Sequence, residues 1–277
     1  MSKSLPTSAL LSSWETAMRA QALSPRTIED RLRLVATIAR ELETAPEKLT
    51  AEQITEWLAG KHTAITKWTY FTHLRAFFRW LEMTEQITKN PTRQIQPPRR
   101  PKYLPRPVPE VHIRTVLAGP LRPQTRRMIL LATYAGLRQS EIAKIHGNDY
   151  DPSTGILTVK GKGGHVATIP LHSSLQAELI NMPRRSWWFP GSHGNDHMLS
   201  RSVGAAIQRA FRRHGIIIQA HQLRHSFGTS LIEADVNLRV AQELMRHQSI
   251  QSTALYTRIS TVQKQSAVNR LDIPNES

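Results

Sequence analysis

A mainly helical chain carrying one small β-sheet is the fold class the sequence predicts, and three observations predict it. Apolar residues recur every three or four positions through most of the chain, as they do in helices that bury one face. One stretch, residues 155–171, instead holds two β-rich runs around a glycine cluster, which reads as a hairpin. Six prolines crowd residues 96–109, where no helix can continue. The helices therefore fall into two groups.

The first group, residues 1–95, reads as a helical domain. Ser24 followed by Pro25 is a helix start, a capping hydroxyl with proline at the first helical position. Ile28, Leu32, Val35, Ile38 and Leu42 then share one face. Thr50 with Gln53 forms a capping box, and Gly60 ends the helix that holds Ile54, Trp57 and Leu58. A third helix carries Trp68, Phe71, Leu74, Phe78 and Leu81. This stripe reads as core rather than a stacking platform, because helical periodicity usually marks packing. Lys67, His73, Arg75 and Arg79 occupy its other positions. Residues 96–106 follow as an extended, semi-rigid linker bearing Arg99, Arg100, Lys102 and Arg106.

The second domain spans residues 107–277. Apolar helices are predicted at 109–118 and 123–136, then the hairpin with its turn at Gly161-Lys162-Gly163-Gly164, where glycines admit positive φ. Helices return at about 199–214, 221–233, 238–247 and 250–258. Trp187, Trp188 and Phe189 read as core, and Tyr134 and Tyr150 as structural. His193 and His197 lie in a polar loop without cysteines or a spaced partner, so a solvated loop is preferred to a metal site.

Charge narrows the choice of partner. Lysine and arginine total 37 against 21 acids, a net +16 with a pI near 10.9. Such an excess favours a polyanion, since each neutralised phosphate releases a condensed counterion. The basic residues are spread along the chain, so folded faces and not a tail are expected to meet nucleic acid. Lys67, His73, Arg75, Arg79, Arg99, Arg100, Lys102 and Arg106 are the candidate contacts. The chain has no cysteine, which excludes disulfides and thiolate metal sites. It has no run approaching the about 20 apolar residues of a membrane span, and its first residues lack a signal-peptide core. A soluble, cytoplasmic protein is the expectation.

Four fragments combine a nucleophile with phosphate-binding groups. Ala-Gly-Leu-Arg-Gln-Ser-Glu-Ile, residues 135–142, sets Arg138 at a helix junction. His221 and Arg224, three apart, share a helical face. His247 follows, with Tyr256 nine residues later, and Lys162 sits in the hairpin turn. These fragments, in this order, resemble the tyrosine recombinase (phage integrase) family, whose pattern is G-L-R-x-x-E, a hairpin lysine, H-x-x-R, a late histidine and a tyrosine. The steps of 24 residues from Arg138 to Lys162 and 23 from Arg224 to His247 suit it. The resemblance also covers the first domain, which looks like the family's core-type DNA-binding domain, and makes the second an α+β catalytic domain.

The resemblance implies a reaction whose demands match these residue types. Tyr256 would attack a DNA phosphodiester, forming a 3′-phosphotyrosyl bond and releasing a 5′-hydroxyl. Arg138 and Arg224 would bind the non-bridging oxygens, for which a forked, permanent cation is suited, and His247 would add a hydrogen bond. His221 would accept the tyrosyl proton, and Lys162 would protonate the departing oxygen. Lys160 competes with Lys162, which is preferred for its place between turn glycines. Glu141 would orient the arginines, and His225 would support the helix. The ester conserves the bond energy, so no cofactor, neither ATP nor metal, is implied. Two departures stand out. Arg246 replaces the glycine that the family often has before its last histidine, suggesting one more phosphate contact. Val166 and Ala167 replace basic residues after the turn, suggesting fewer DNA contacts there.

The implied partner is double-stranded DNA with paired core-type sites, bound by a homotetramer assembled on that DNA and weakly associated or monomeric when free. The segment after Tyr256, with Ile259, Val262, Val268 and Leu271 at helical spacing, would pack on a neighbouring protomer. An accessory DNA-bending factor fits the same picture. In length the chain resembles compact integrases and Xer-like resolvases. Integration and excision of a phage or other mobile element is the preferred role, in the bacterial nucleoid and with a phage or plasmid origin. Dimer resolution is the alternative. A non-catalytic repressor and a relaxing type IB topoisomerase are the rivals from other classes.

Overall fold

The computed structural model describes residues 7–60, 63–101, 105–161, 164, 166–191 and 196–246. Lys102, Lys162, His193, His247, Tyr256, the helix expected at 250–258 and the C-terminal segment lie outside these residues. The chain forms two compact units, Met1–Lys102 and Tyr103–Ser277. Both are built mainly from helices, and the second holds the small sheet.

Unit 1 contains α1 (Thr7–Ala20), α2 (Pro25–Glu41), α3 (Ala51–Ala59) and α4 (Ala64–Met83). The Ser24 hydroxyl accepts the Thr27 N–H at 3.2 Å, and Pro25 opens α2. At α3 the Thr50 hydroxyl accepts from the Gln53 N–H at 3.2 Å while the Gln53 side chain accepts from the Thr50 N–H at 3.0 Å. Each such cap satisfies donors that a helix leaves unpaired, worth about 1 kcal/mol. Helix α1 adds to the three helices read from the sequence. Its residues Leu10, Trp14 and Met18, spaced by four, are all buried, and Trp14 meets Phe77 edge-on at 4.9 Å. Phe71, Leu74, Phe78 and Leu81 are core as predicted. Trp68 is different, since the Arg100 guanidinium lies 4.9 Å over its ring.

Unit 2 contains α5 (Glu110–Ala118), α6 (Pro123–Tyr134), α7 (Gln139–Ile142), β1 (Tyr150–Asp151), β2 (Ile156–Lys160), β3 (Val166–Pro170), α8 (Ser173–Leu179), α9 (Ser200–Arg212), α10 (His221–Glu233) and α11 (Leu238–Met245). Helix α6 runs through the centre, with Met128, Ile129, Leu131 and Ala132 buried against α8, α9 and α10. The sheet is antiparallel in the order β1-β2-β3, with Tyr150 opposite Leu157, Leu157 opposite Ile169 and Lys160 opposite Val166. Leu157, Val159 and Ile169 face the core, whereas Lys160 and Val166 are exposed at the turn end. Strand β1 and helix α8 add to the sequence reading, whereas α7 is the helix expected to start after Gly136. Trp188, Phe189 and Tyr150 are buried, but Tyr134 is exposed.

Candidate active site

Arg138 owes its place to the junction between α6 and α7. Gly136 adopts φ +59°, and a Cβ there would lie 2.3 Å from the Phe227 ring. Glycine alone turns the chain at this point without strain or collision. The turn sets Arg138 as the N-cap of α7, with its side chain 44% exposed. One turn on, Glu141 is buried. Its Oε2 accepts the Arg138 backbone N–H at 2.9 Å and its Oε1 accepts Arg138 Nη1 at 2.8 Å. Burial alone would raise this carboxyl. The charge of Arg246 and the bonds from Arg138 outweigh it and hold Glu141 below the ordinary carboxylate value.

Helix α10 supplies the next pair. Its first residue, His221, is exposed, and one turn later Arg224 is buried, 6% exposed. The Arg224 guanidinium donates to the carbonyl of Gly136, 88 residues away, and to that of Met245, the last residue of α11. A buried guanidinium must spend its N–H groups on acceptors, and these two are main-chain oxygens at the ends of other elements. Arg138, His221 and Arg224 are thus tied into one corner of unit 2. Although much of the His221 surface is exposed, loss of hydration against its neighbours lowers its pKa, which favours the neutral imidazole that a proton acceptor needs. His225 packs edge-on against His221 at 5.3 Å. Burial first, then the neighbouring His221 and Arg224, push it down to about 4.

Arg246 caps α11 in the left-handed region, with φ +51°. Its side chain is 9% exposed. Nη2 donates to Glu141 Oε2 at 2.9 Å and to the Gly136 carbonyl at 2.8 Å, and Nη1 to the Leu244 carbonyl at 2.8 Å. The sequence suggests a phosphate contact for this residue. The described structure instead turns its guanidinium inward, onto three acceptors of the protein itself. Sequence reasoning missed this pairing, because Arg246 and Glu141 are 105 residues apart and no local pattern links them.

Beside Glu141 lies a cavity of about 340 Å³, lined among others by Lys144, His146, Lys160, Trp187 and His197. It brings the turn end of β2 next to the arginine box, and Lys144 and His146 are residues the sequence reading did not single out. His197 lies with Nδ1 2.9 Å from the Met198 carbonyl and its ring edge-on to Trp187. In unit 1, Arg75 and Arg79 are exposed on α4. Lys67 donates to the Ala59 carbonyl at 3.1 Å. His73 is half-buried, and burial and then Arg31 lower its pKa. Arg99, Arg100 and Arg106 are exposed, and the Arg106 carbonyl accepts from Gln222 Nε2 at 3.1 Å.

Comparison with known proteins decides the family. Residues 112–262, more than half of the chain, match the phage integrase family. The chain belongs to that family. As a tyrosine recombinase it is an enzyme that transfers DNA strands. Among curated recombinases it is 31% identical over 210 residues to tyrosine recombinase XerA of Pyrococcus furiosus, covering 72% of each chain. To XerC of Proteus mirabilis it is 29% identical over 260 residues, 86% of this chain and 84% of the other. Among solved structures, the integrase from mycobacterium phage Brujita is 43% identical, with 95% of this chain and 92% of that chain covered and a TM-score of 0.51. A lambda integrase fragment, solved as a dimer bound to a core site, is 20% identical with a TM-score of 0.73, covering 88% of this chain and 96% of that one. The last likeness is one of fold.

Proposed function

We propose that this recombinase cuts and rejoins duplex DNA through Tyr256, to integrate and excise a phage or other mobile element. The observation that carries the reading is the tie between Arg224 and the Gly136 carbonyl. It sets two arginines from distant parts of the chain beside one turn, with His221 a helical turn away. Such a cluster suits a phosphodiester, whose transition state gathers charge on its non-bridging oxygens. In the proposed reaction the Tyr256 oxygen forms a bond to phosphorus as the bond to the 5′ oxygen breaks. His221 takes the tyrosyl proton, Lys162 supplies one to the departing oxygen, and His247 adds a hydrogen bond to the phosphate. Ligation runs the same steps backwards with a 5′-hydroxyl from the partner duplex. Double-stranded DNA with paired core sites is the partner, and four protomers assemble on it.

The integrase role is supported by 43% identity to a phage integrase along nearly the whole of both chains. Dimer resolution is the second reading, supported by Xer relatives at 31% and 29%. The test is to incubate the protein with fragmented DNA of the genome that encodes it, recover protein–DNA adducts that survive denaturation, and sequence them. Wild type should yield adducts at a discrete site, and Tyr256→Phe none. Adducts that persist in Tyr256→Phe, or their complete absence from wild type, would overturn the cleavage chemistry. A site at the junction of a mobile element supports integration, and one at a chromosomal dimer-resolution locus the second reading.

A further inference from the structure

Arg246 is in a backbone conformation that glycine takes freely and other residues rarely. It is also a cation with little access to water. Both features disfavour it, so its partners must give something back. They do so through Glu141, whose two oxygens are divided, Oε1 to Arg138 Nη1 and Oε2 to Arg246 Nη2.

The division matters for Arg138. A buried carboxylate paired with one arginine forms a neutral couple, and an incoming anion must then compete with that carboxylate for the guanidinium. A second arginine on the other oxygen leaves the trio with a net positive charge and spreads the carboxylate's attraction over two cations. We propose that Arg246 is a positioning residue: by holding Glu141 Oε2 it keeps Arg138 oriented yet available to an anionic phosphate. The proposal rests on reading Arg138 as a phosphate-binding group. It assigns no contact between Arg246 and DNA. The side chain works through Glu141 and, at its other donors, through the carbonyls of Gly136 and Leu244.

The test titrates the full chain with inorganic phosphate by calorimetry, counting the binding that Arg138→Ala removes. Arg246→Gly suits the left-handed backbone, so the variant should fold, which thermal melting checks. It should bind phosphate about tenfold more weakly, the scale of one charge-assisted interaction. Arg246→Lys keeps the charge and should stay within about threefold of wild type on the same scale. Replacing Glu141 by Gln in the Arg246→Gly background removes the carboxylate charge that then competes with phosphate for Arg138, and should restore most of the affinity. A helix cap with no other role would give no such rescue. Unchanged phosphate affinity in Arg246→Gly, a loss that Glu141→Gln does not relieve, or a wild type with no Arg138-dependent phosphate binding would each overturn the proposal. The titration involves no DNA cleavage, so its outcome is separate from the fate of the Tyr256 adduct.

Discussion

At the scale of single residues, the site is governed by where charge is placed relative to water. His225 shows the consequence for stability. Its imidazole is held neutral, down to about 4, by burial and by neighbouring His221 and Arg224, whereas in the unfolded chain it titrates near about 6.5. As pH falls between these values the unfolded state takes up a proton that the folded state refuses, so stability is lost progressively from about pH 6.5 towards 4. In His225→Gln the melting temperature should fall less steeply over that interval than in wild type. Parallel curves would mean that His225 is not held neutral. The residue scale is also where the sequence was least informative. Arg138, Glu141, His221 and Arg224 were legible because each lies in a short pattern with its own chemistry. The inward turn of Arg246 was not, since it depends on a carboxylate brought near only by folding.

At the scale of elements, legibility tracked the locality of the cause. The starts of α2 and α3 were readable because the cap and its recipient are three residues apart. The β2–β3 hairpin was readable because glycines mark its turn and β-rich runs flank it. Strand β1, with two residues, and α7, with four, are too short for any periodicity. Their form is imposed by pairing with β2 and by packing against α9. Helix α1 had a legible stripe at Leu10, Trp14 and Met18 but lacked the capping pair that announced α2. The α6–α7 junction yields a prediction at this scale. Gly136→Ala puts a Cβ into the Phe227 ring in a left-handed backbone, which should destabilise the chain by roughly 3 kcal/mol. Urea unfolding would measure it. A change below about 1 kcal/mol, the low end for left-handed strain alone, would show that the junction relaxes freely.

At the scale of the whole molecule, the decisive quantity is the net charge of +16. Bound to a duplex, the protein should lose affinity steeply with salt, the logarithmic slope counting the phosphates neutralised at about 0.9 each. Arg75 and Arg79, exposed on α4, are expected among those contacts. Replacing both by Ala should reduce the slope by about two in a fluorescence titration across salt concentrations. An unchanged slope would place the duplex elsewhere. The two-unit organisation was legible as a proline-rich interval between helical groups, and its division falls within that interval. Within the interval, Arg100 answers to a cause that composition does not carry, since its guanidinium lies over Trp68, 32 residues earlier in the chain.

The Gly136 carbonyl receives both Arg224 and Arg246, and this has a consequence for how the site can vary over descent. The shared acceptor is a peptide oxygen, so no codon encodes it and no point mutation deletes it. Mutation reaches only the donors that arrive at it and the residue whose freedom to turn presents it. Two lineages could therefore exchange which side chains arrive, with Arg246 as one such arrival, while inheriting the same meeting point. An alignment of side chains would record the exchange and remain blind to what was kept.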